Sequence, residues 1–190
     1  MRLARLAALS LLFALAGMSG RVRSSPQPFD PLASTASFRI HLRWLPDADG
    51  RFTKVNGELL EEGGKQRVTV RVDGRSLVMD GPAWIARATR SDQFLAVDRY
   101  PDIHFASEPF DPQLLRNGGK LRGQLSLRGM ERPAAFRLLP TTCARPGVDC
   151  DIHVLGSVSR RQFGMTGDRL VVKDGVDLDF RVRLVAPGNR

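Results

Sequence analysis

Residues 121–128 read Leu-Arg-Gly-Gln-Leu-Ser-Leu-Arg, with Leu121, Gly123, Leu125 and Leu127 in one parity and Arg122, Gln124, Ser126 and Arg128 in the other. Wound into a helix, these residues would scatter apolar and polar groups around the whole circumference. As a strand, they form one apolar face and one polar face. Gly129 closes the segment, and Pro133 opens the next extended stretch, Ala134 to Leu139. The chain is thereby committed to half-buried antiparallel strands, and the rest of it can be tested for the same period.

Most of it complies. Phe38, Ile40, Leu42 and Trp44 alternate with Arg39, His41 and Arg43, and Val68, Val70 and Val72 alternate with Thr69, Arg71 and Asp73. Tyr100-Pro101 introduces an extended run from Ile103 to Phe105. A strand is expected over Ile152 to Ser159, and Val176, Leu178, Phe180, Val182 and Leu184 close the pattern. Asp47-Ala48-Asp49-Gly50, Glu61-Glu62-Gly63-Gly64 and Asn117-Gly118-Gly119 supply turns between them. Gly57 and Gly123 read as bulges. Only residues 81–97 break the rhythm. Gly81-Pro82 can start a helix there, and Trp84, Ala88, Ser91 and Leu95 recur at helical spacing, with Trp84 as core filling. The expectation is an all-β fold of about eight antiparallel strands with one short helical insertion. Strands with one apolar face must close into a barrel or stack as a sandwich.

The chain is 190 residues long, which suits one domain behind a targeting segment. Arg2 and Arg5, an apolar run from Leu6 to Ala16, and small residues before Gly17 form the order of a secretory signal peptide over residues 1–16. No cysteine follows it to take a lipid anchor, and no later stretch is apolar enough to span a bilayer. Residues 17–35, with Ser24-Ser25-Pro26-Gln27-Pro28, read as a flexible solvated leader, and the folded domain is expected over residues 36–186. Export makes a disulfide the natural fate of Cys143 and Cys150, which close a hairpin tip.

The formal net charge of +9 falls to +7 without Arg2 and Arg5. Nucleic acid is a poor partner for it, because export removes the chain from the cytoplasm and the arginines are scattered along polar strand faces. A solvated surface, an anionic membrane or an acidic partner all remain compatible. Chemistry is scarce. His41, His104 and His153 stand apart from one another and from cysteine, so no metal spacing appears. No nucleophile elbow, zinc-protease helix or phosphate-binding glycine loop is present. Neither a catalytic residue nor a cofactor is expected.

What remains is the interior. Its expected lining is Phe38, Ile40, Leu42, Trp44, Val68, Val70, Val72, Phe105, Leu125, Leu127, Phe136, Val158, Phe163 and Phe180. A small barrel can be filled by such side chains or can leave a tunnel for an apolar ligand. Alternation does not separate these outcomes.

Four stretches add a resemblance. Tyr100-Pro101-Asp102-Ile103-His104-Phe105-Ala106-Ser107 resembles the YP-x-I-x-F-x-S element of the YceI-like family. Gly123 to Pro133 is similar to that family's G-x-L-t-i-r-G-v-t-k-P segment, and Ser159 to Met165 to its R-x-x-F-G-M turn. The strand after Val172-Lys173-Asp174-Gly175-Val176 resembles its final V-x-D-x-V-x-l strand. Where the family has an aromatic pair near D-F-F-D, this chain has Phe94 and Leu95. The resemblance implies a lipocalin-like antiparallel β-barrel in the periplasm that holds a long isoprenoid, of polyprenyl or quinone type, for transport, sequestration or a stress role. It leaves the oligomeric state, monomer or dimer, open, and admits transient contact with a membrane surface or membrane protein. For a lipid phosphate, Arg160 is the first head-group candidate, followed by Arg161 and His104. The competing role for Arg160 is a turn arginine that bonds backbone carbonyls or pairs with an aspartate. The competing function is an interaction module with a packed core whose basic surface meets an acidic partner or a membrane.

Overall fold

A computed structural model describes residues 25–186. The signal peptide expected over residues 1–16 lies outside them, as does the leader up to residue 24. Eleven strand segments form a single antiparallel sheet: β1 (Gln27–Pro28), β2 (Thr35–Leu42), β3 (Ala48–Phe52), β4 (Val55–Glu62), β5 (Lys65–Asp73), β6 (Leu77–Met79), β7 (Asp102–Ser107), β8 (Gly119–Leu127), β9 (Met130–Leu138), β10 (Ile152–Ser159) and β11 (Val172–Val182). Helix α1 spans Ala83–Arg90, and a four-residue helix α2 spans Leu114–Asn117.

The order β1-β4-β5-β7-β8-β9-β10-β11-β2-β3-β6 describes a barrel. Phe29 joins its two sides: its N–H donates to the Gly57 carbonyl in β4, and it bridges Leu184 just beyond β11. Thr53 and Lys54 alone separate β3 from β4, and a turn over residues 31–34 separates β1 from β2, both of which run beside the β11 end. The staves are therefore β1–β2, β3–β4, β5, β7, β8, β9, β10 and β11, with β6 an added edge on β3. About eight strands were expected; the sheet has eleven segments, of which two pairs share a stave and β6 is extra.

The alternation of β8 is kept in space, with Leu121, Gly123, Leu125 and Leu127 buried and Arg122 and Gln124 exposed. Its hairpin to β9 turns on Arg128 and Gly129, whose φ values of 54° and 69° are both positive. Two consecutive left-handed residues match the right-handed twist of the strands they join, so the turn takes only two residues.

Several expectations are corrected. Residues from Gln27 onward belong to the sheet, and Phe29 is only 6% exposed. A two-residue strand next to two prolines carries no period from which it could be read. β9 begins at Met130 and runs through Pro133, and its pairing with β10 covers only Arg137 and Leu138, so a residue without an N–H is tolerated there. Gly57 and Gly123 lie in unbroken register, and the irregularity falls between Val172 and Val176 instead. Trp84 is 53% exposed, because Ile85 and Thr89 supply the inner face of α1 and Phe94, from the turn that follows, fills the space beneath. The cysteines are joined as expected, Cys143 to Cys150.

Candidate functional site

The barrel interior is a cavity of about 170 Å³. Of the 33 side chains that line it, only Thr35, Thr89 and Arg160 are polar. The inward residues of β11 (Val176, Leu178, Phe180 and Val182) are only partly buried although they face inward. A close-packed core would bury them fully. Their partial exposure accords with a hollow barrel.

Eleven of the fourteen expected lining residues are on this wall: Phe38, Ile40, Val68, Val70, Val72, Phe105, Leu125, Leu127, Phe136, Val158 and Phe180. Leu42 is half-buried and packs on the Phe38–Ile40 cluster outside the cavity. Phe163 is 2% exposed but sits in the main apolar cluster behind the wall, in the 3₁₀ turn Arg160–Phe163. Trp44 has the correct parity but follows the end of β2, where no opposite wall remains, and it is 74% exposed. The wall also includes Phe29, Leu59, Phe94, Leu95 and Ile103, which alternation does not single out. Phe94 and Leu95 occupy the place of the family's aromatic pair, which is the one hint of them in the sequence.

The three head-group candidates part company. Arg160 reaches the cavity wall but is only 2% exposed. Its Nε donates to the Lys173 carbonyl at 3.0 Å and its Nη2 to that of Val172 at 3.0 Å. Its Nη1 donates to the carbonyls of Met165 at 3.0 Å and Gly167 at 2.7 Å. The guanidinium carbon stands 5.6 Å from the Phe94 ring centre. Burial pushes the pKa of this guanidinium down from its ordinary value. An arginine still keeps its proton at neutral pH, because its ordinary value lies far above neutrality. Its main role is structural: it ties the 3₁₀ turn, the 165–167 loop and the start of β11 together. Four of its five N–H groups are spent in this way, which leaves one on Nη2.

Arg161 points outward. Its Nε lies 2.9 Å from Asp174 Oδ1, and Ser159 Oγ donates to Oδ2 of the same carboxylate at 2.7 Å. The hydrogen bond from Arg161 is the larger cause that holds the Asp174 pKa at about 2. His104 is also on the outer face, where its Nε2 accepts from Arg71 Nε at 3.0 Å. Neither residue meets the cavity.

Among the described residues, no three His, Cys, Asp or Glu side chains gather as a metal site would require. The wall carries no carboxylate, imidazole or thiol, and the Thr89 hydroxyl donates to the Ile85 carbonyl at 2.9 Å. Such a wall can exclude water and hold an apolar molecule, with Arg160 and Thr89 near the α1 end to meet a polar group. No helix among the described residues is long and apolar enough to cross a membrane.

Residues 28–184 match the model of the YceI-like domain. No curated protein matches the chain by sequence. Among solved structures, BcnA of Burkholderia cenocepacia superposes with a TM-score of 0.67 at 17% identity, covering 83% of this chain and 99% of that one. A polyisoprenoid-binding domain from Saccharophagus degradans, implicated in plant cell wall breakdown, gives 0.61 at 14% identity, covering 84% and 98%. The YceI protein of Campylobacter jejuni gives 0.55 at 15% identity, covering 72% and 84%. At these identities the likeness is one of fold.

Proposed function

The chain belongs to the YceI-like family, and on that footing we propose that it is an exported, periplasmic lipid-binding protein, without catalysis, that holds a long isoprenoid of polyprenyl or quinone type inside its barrel. The observation that carries this reading is the cavity wall, apolar except for Thr35, Thr89 and Arg160. Each methylene equivalent moved from water onto such a wall contributes about 0.8 kcal/mol. A long chain therefore binds with little polar recognition, and shape sets the class of ligand.

A single polar group at one end of the ligand would lie toward Thr89 and the spare Nη2 hydrogen of Arg160, because the rest of the wall offers it only Thr35. The role that follows is transport or sequestration between membranes, with transient contact at a membrane surface for loading and release. The rival reading, an interaction module with a packed core, is disfavoured by the partly buried inward side chains of β11. Titration with a fluorescent polyprenyl analogue tests the proposal. Saturable binding at one site per chain is expected, and absence of binding to the folded protein would defeat it.

A further inference from the structure

Six large apolar side chains are well exposed among the described residues: Leu32, Trp44, Leu45, Val78, Trp84 and Leu170. Four of them gather at one end of the barrel. The Arg43 N–H donates to the Val171 carbonyl at 2.9 Å, which sets Trp44 and Leu45, at the end of β2, beside Leu170, ahead of β11. The Asp80 N–H donates to the Asp49 carbonyl at 2.9 Å and brings the start of α1 to the same β2–β3 end. Ile85, next to Trp84, packs on the cluster that contains Leu42, Ala48 and Val171. These three segments border the end of the cavity where Ile40, Phe94 and Val172 line it.

The charges around this rim are lopsided. Asp49 is paired with Arg39, Asp80 with Arg51 and Asp174 with Arg161, while Asp47 and Asp177 share His41, which offsets at most one of their two charges and only when protonated. Among the described residues, Arg43, Arg87, Arg169 and Lys173 are exposed with no carboxylate within ion-pair distance, and Asp92 and Asp168 are exposed acids with no cation within it. Tryptophan and leucine set beside Arg43 and Arg169 suit an anionic bilayer. The aromatic rings take the interfacial level, the aliphatic tips reach the acyl chains, and the cations meet the phosphates.

We propose that the rim of Trp44, Leu45, Trp84 and Leu170, with Arg43 and Arg169, is the surface by which this protein docks on an anionic lipid bilayer. It extends the lipid-carrier reading by naming the face that meets the membrane. It also sets the α1 end of the cavity against the lipid from which a ligand would enter.

The chain has two tryptophans, and both are on this rim, so selectively excited tryptophan fluorescence reports on the proposed surface alone. The test is titration of the purified full chain with phosphatidylglycerol–phosphatidylethanolamine vesicles and with phosphatidylcholine vesicles, followed by flotation. A blue shift and flotation are expected with the anionic vesicles, weakening as salt rises. Leu45→Ser with Leu170→Ser, which keeps both tryptophans, is expected to lower the vesicle affinity about tenfold. Arg43→Glu with Arg169→Glu is expected to lower it at least as much, about fivefold for each charge removed. All four side chains are exposed, so circular dichroism and melting should stay near those of the parent. Equal affinity of parent and variants for anionic vesicles would overturn the proposal. So would a blue shift that follows protein concentration without lipid, which would assign the rim to a second copy. Binding of the polyprenyl analogue in detergent-free solution is scored separately, so loss of docking with retained ligand uptake, or the reverse, identifies which of the two readings has failed.

Discussion

Arg160 Nη1 donates to the Gly167 carbonyl at 2.7 Å, so the arginine best placed to meet a ligand is also a fastening of the cavity wall. Arg160→Leu leaves the carbonyls of Lys173, Met165, Gly167 and Val172 without their donor, in a site that is 2% exposed. The expected loss is about 3–5 kcal/mol, read as a fall in Tm on the order of 10 °C. Arg160→Lys should recover part of it, because one ammonium cannot reach all four carbonyls. Melting curves close to those of the parent would show that the carbonyls find other donors.

Leu125 and Leu127 are buried on β8 and face the cavity. A tryptophan at either position occupies space that a ligand would need. Leu125→Trp or Leu127→Trp is expected to reduce uptake of a polyprenyl analogue severalfold while the β-sheet circular dichroism is kept. Unchanged uptake by a folded variant would place the ligand elsewhere.

His41 stands between two carboxylates, 2.8 Å from Asp47 Oδ2 and 2.8 Å from Asp177 Oδ2. The hydrogen bond to Asp177, then that to Asp47, raises its pKa above the ordinary value. A raised folded pKa means that the stabilisation is fully present below about pH 6.5 and fades as pH rises through the raised value. The imidazole resonances of His41, followed by NMR, should titrate above that value, and His41→Gln should flatten Tm against pH over the same window. A titration at or below the ordinary value would contradict the geometry.

A Cβ at Gly123 would lie 2.3 Å from the Ala106 carbonyl oxygen and 2.7 Å from the Phe105 ring, whereas one at Gly175 would meet only Ser157 Oγ, at 3.5 Å. Gly123→Ala is expected to destabilise by about 1–3 kcal/mol, and Gly175→Ala to stay within about 0.5 kcal/mol of the parent. Denaturant unfolding of the two variants checks the contrast.

The period of two made most of this legible. β2, β5, β8 and β11 could be read residue by residue, and their parity pointed to eight residues that line the cavity, with Phe105, Phe136 and Val158 added from β7, β9 and β10. Parity has no knowledge of where a strand stops, which is why Trp44 continues the pattern of Phe38 and Ile40 yet lies outside the barrel. Phe29 was hidden because a two-residue strand shows no period, and Phe94 because it comes from a turn. Arg161 carries the same charge as Arg160, and His104 is polar like it, and only the three-dimensional packing tells an outward side chain from a buried fastening. Tunnel or packed core was likewise beyond alternation, since both bury the same parity.

The central claim is that the barrel holds an isoprenoid. Native mass spectrometry of protein exported to a periplasm and purified without detergent, with solvent extraction of anything bound, tests it most directly. The account predicts a discrete added mass that extracts as a polyprenyl or quinone compound and diminishes in Leu125→Trp. A bare polypeptide mass, unchanged after incubation with such lipids, would contradict it.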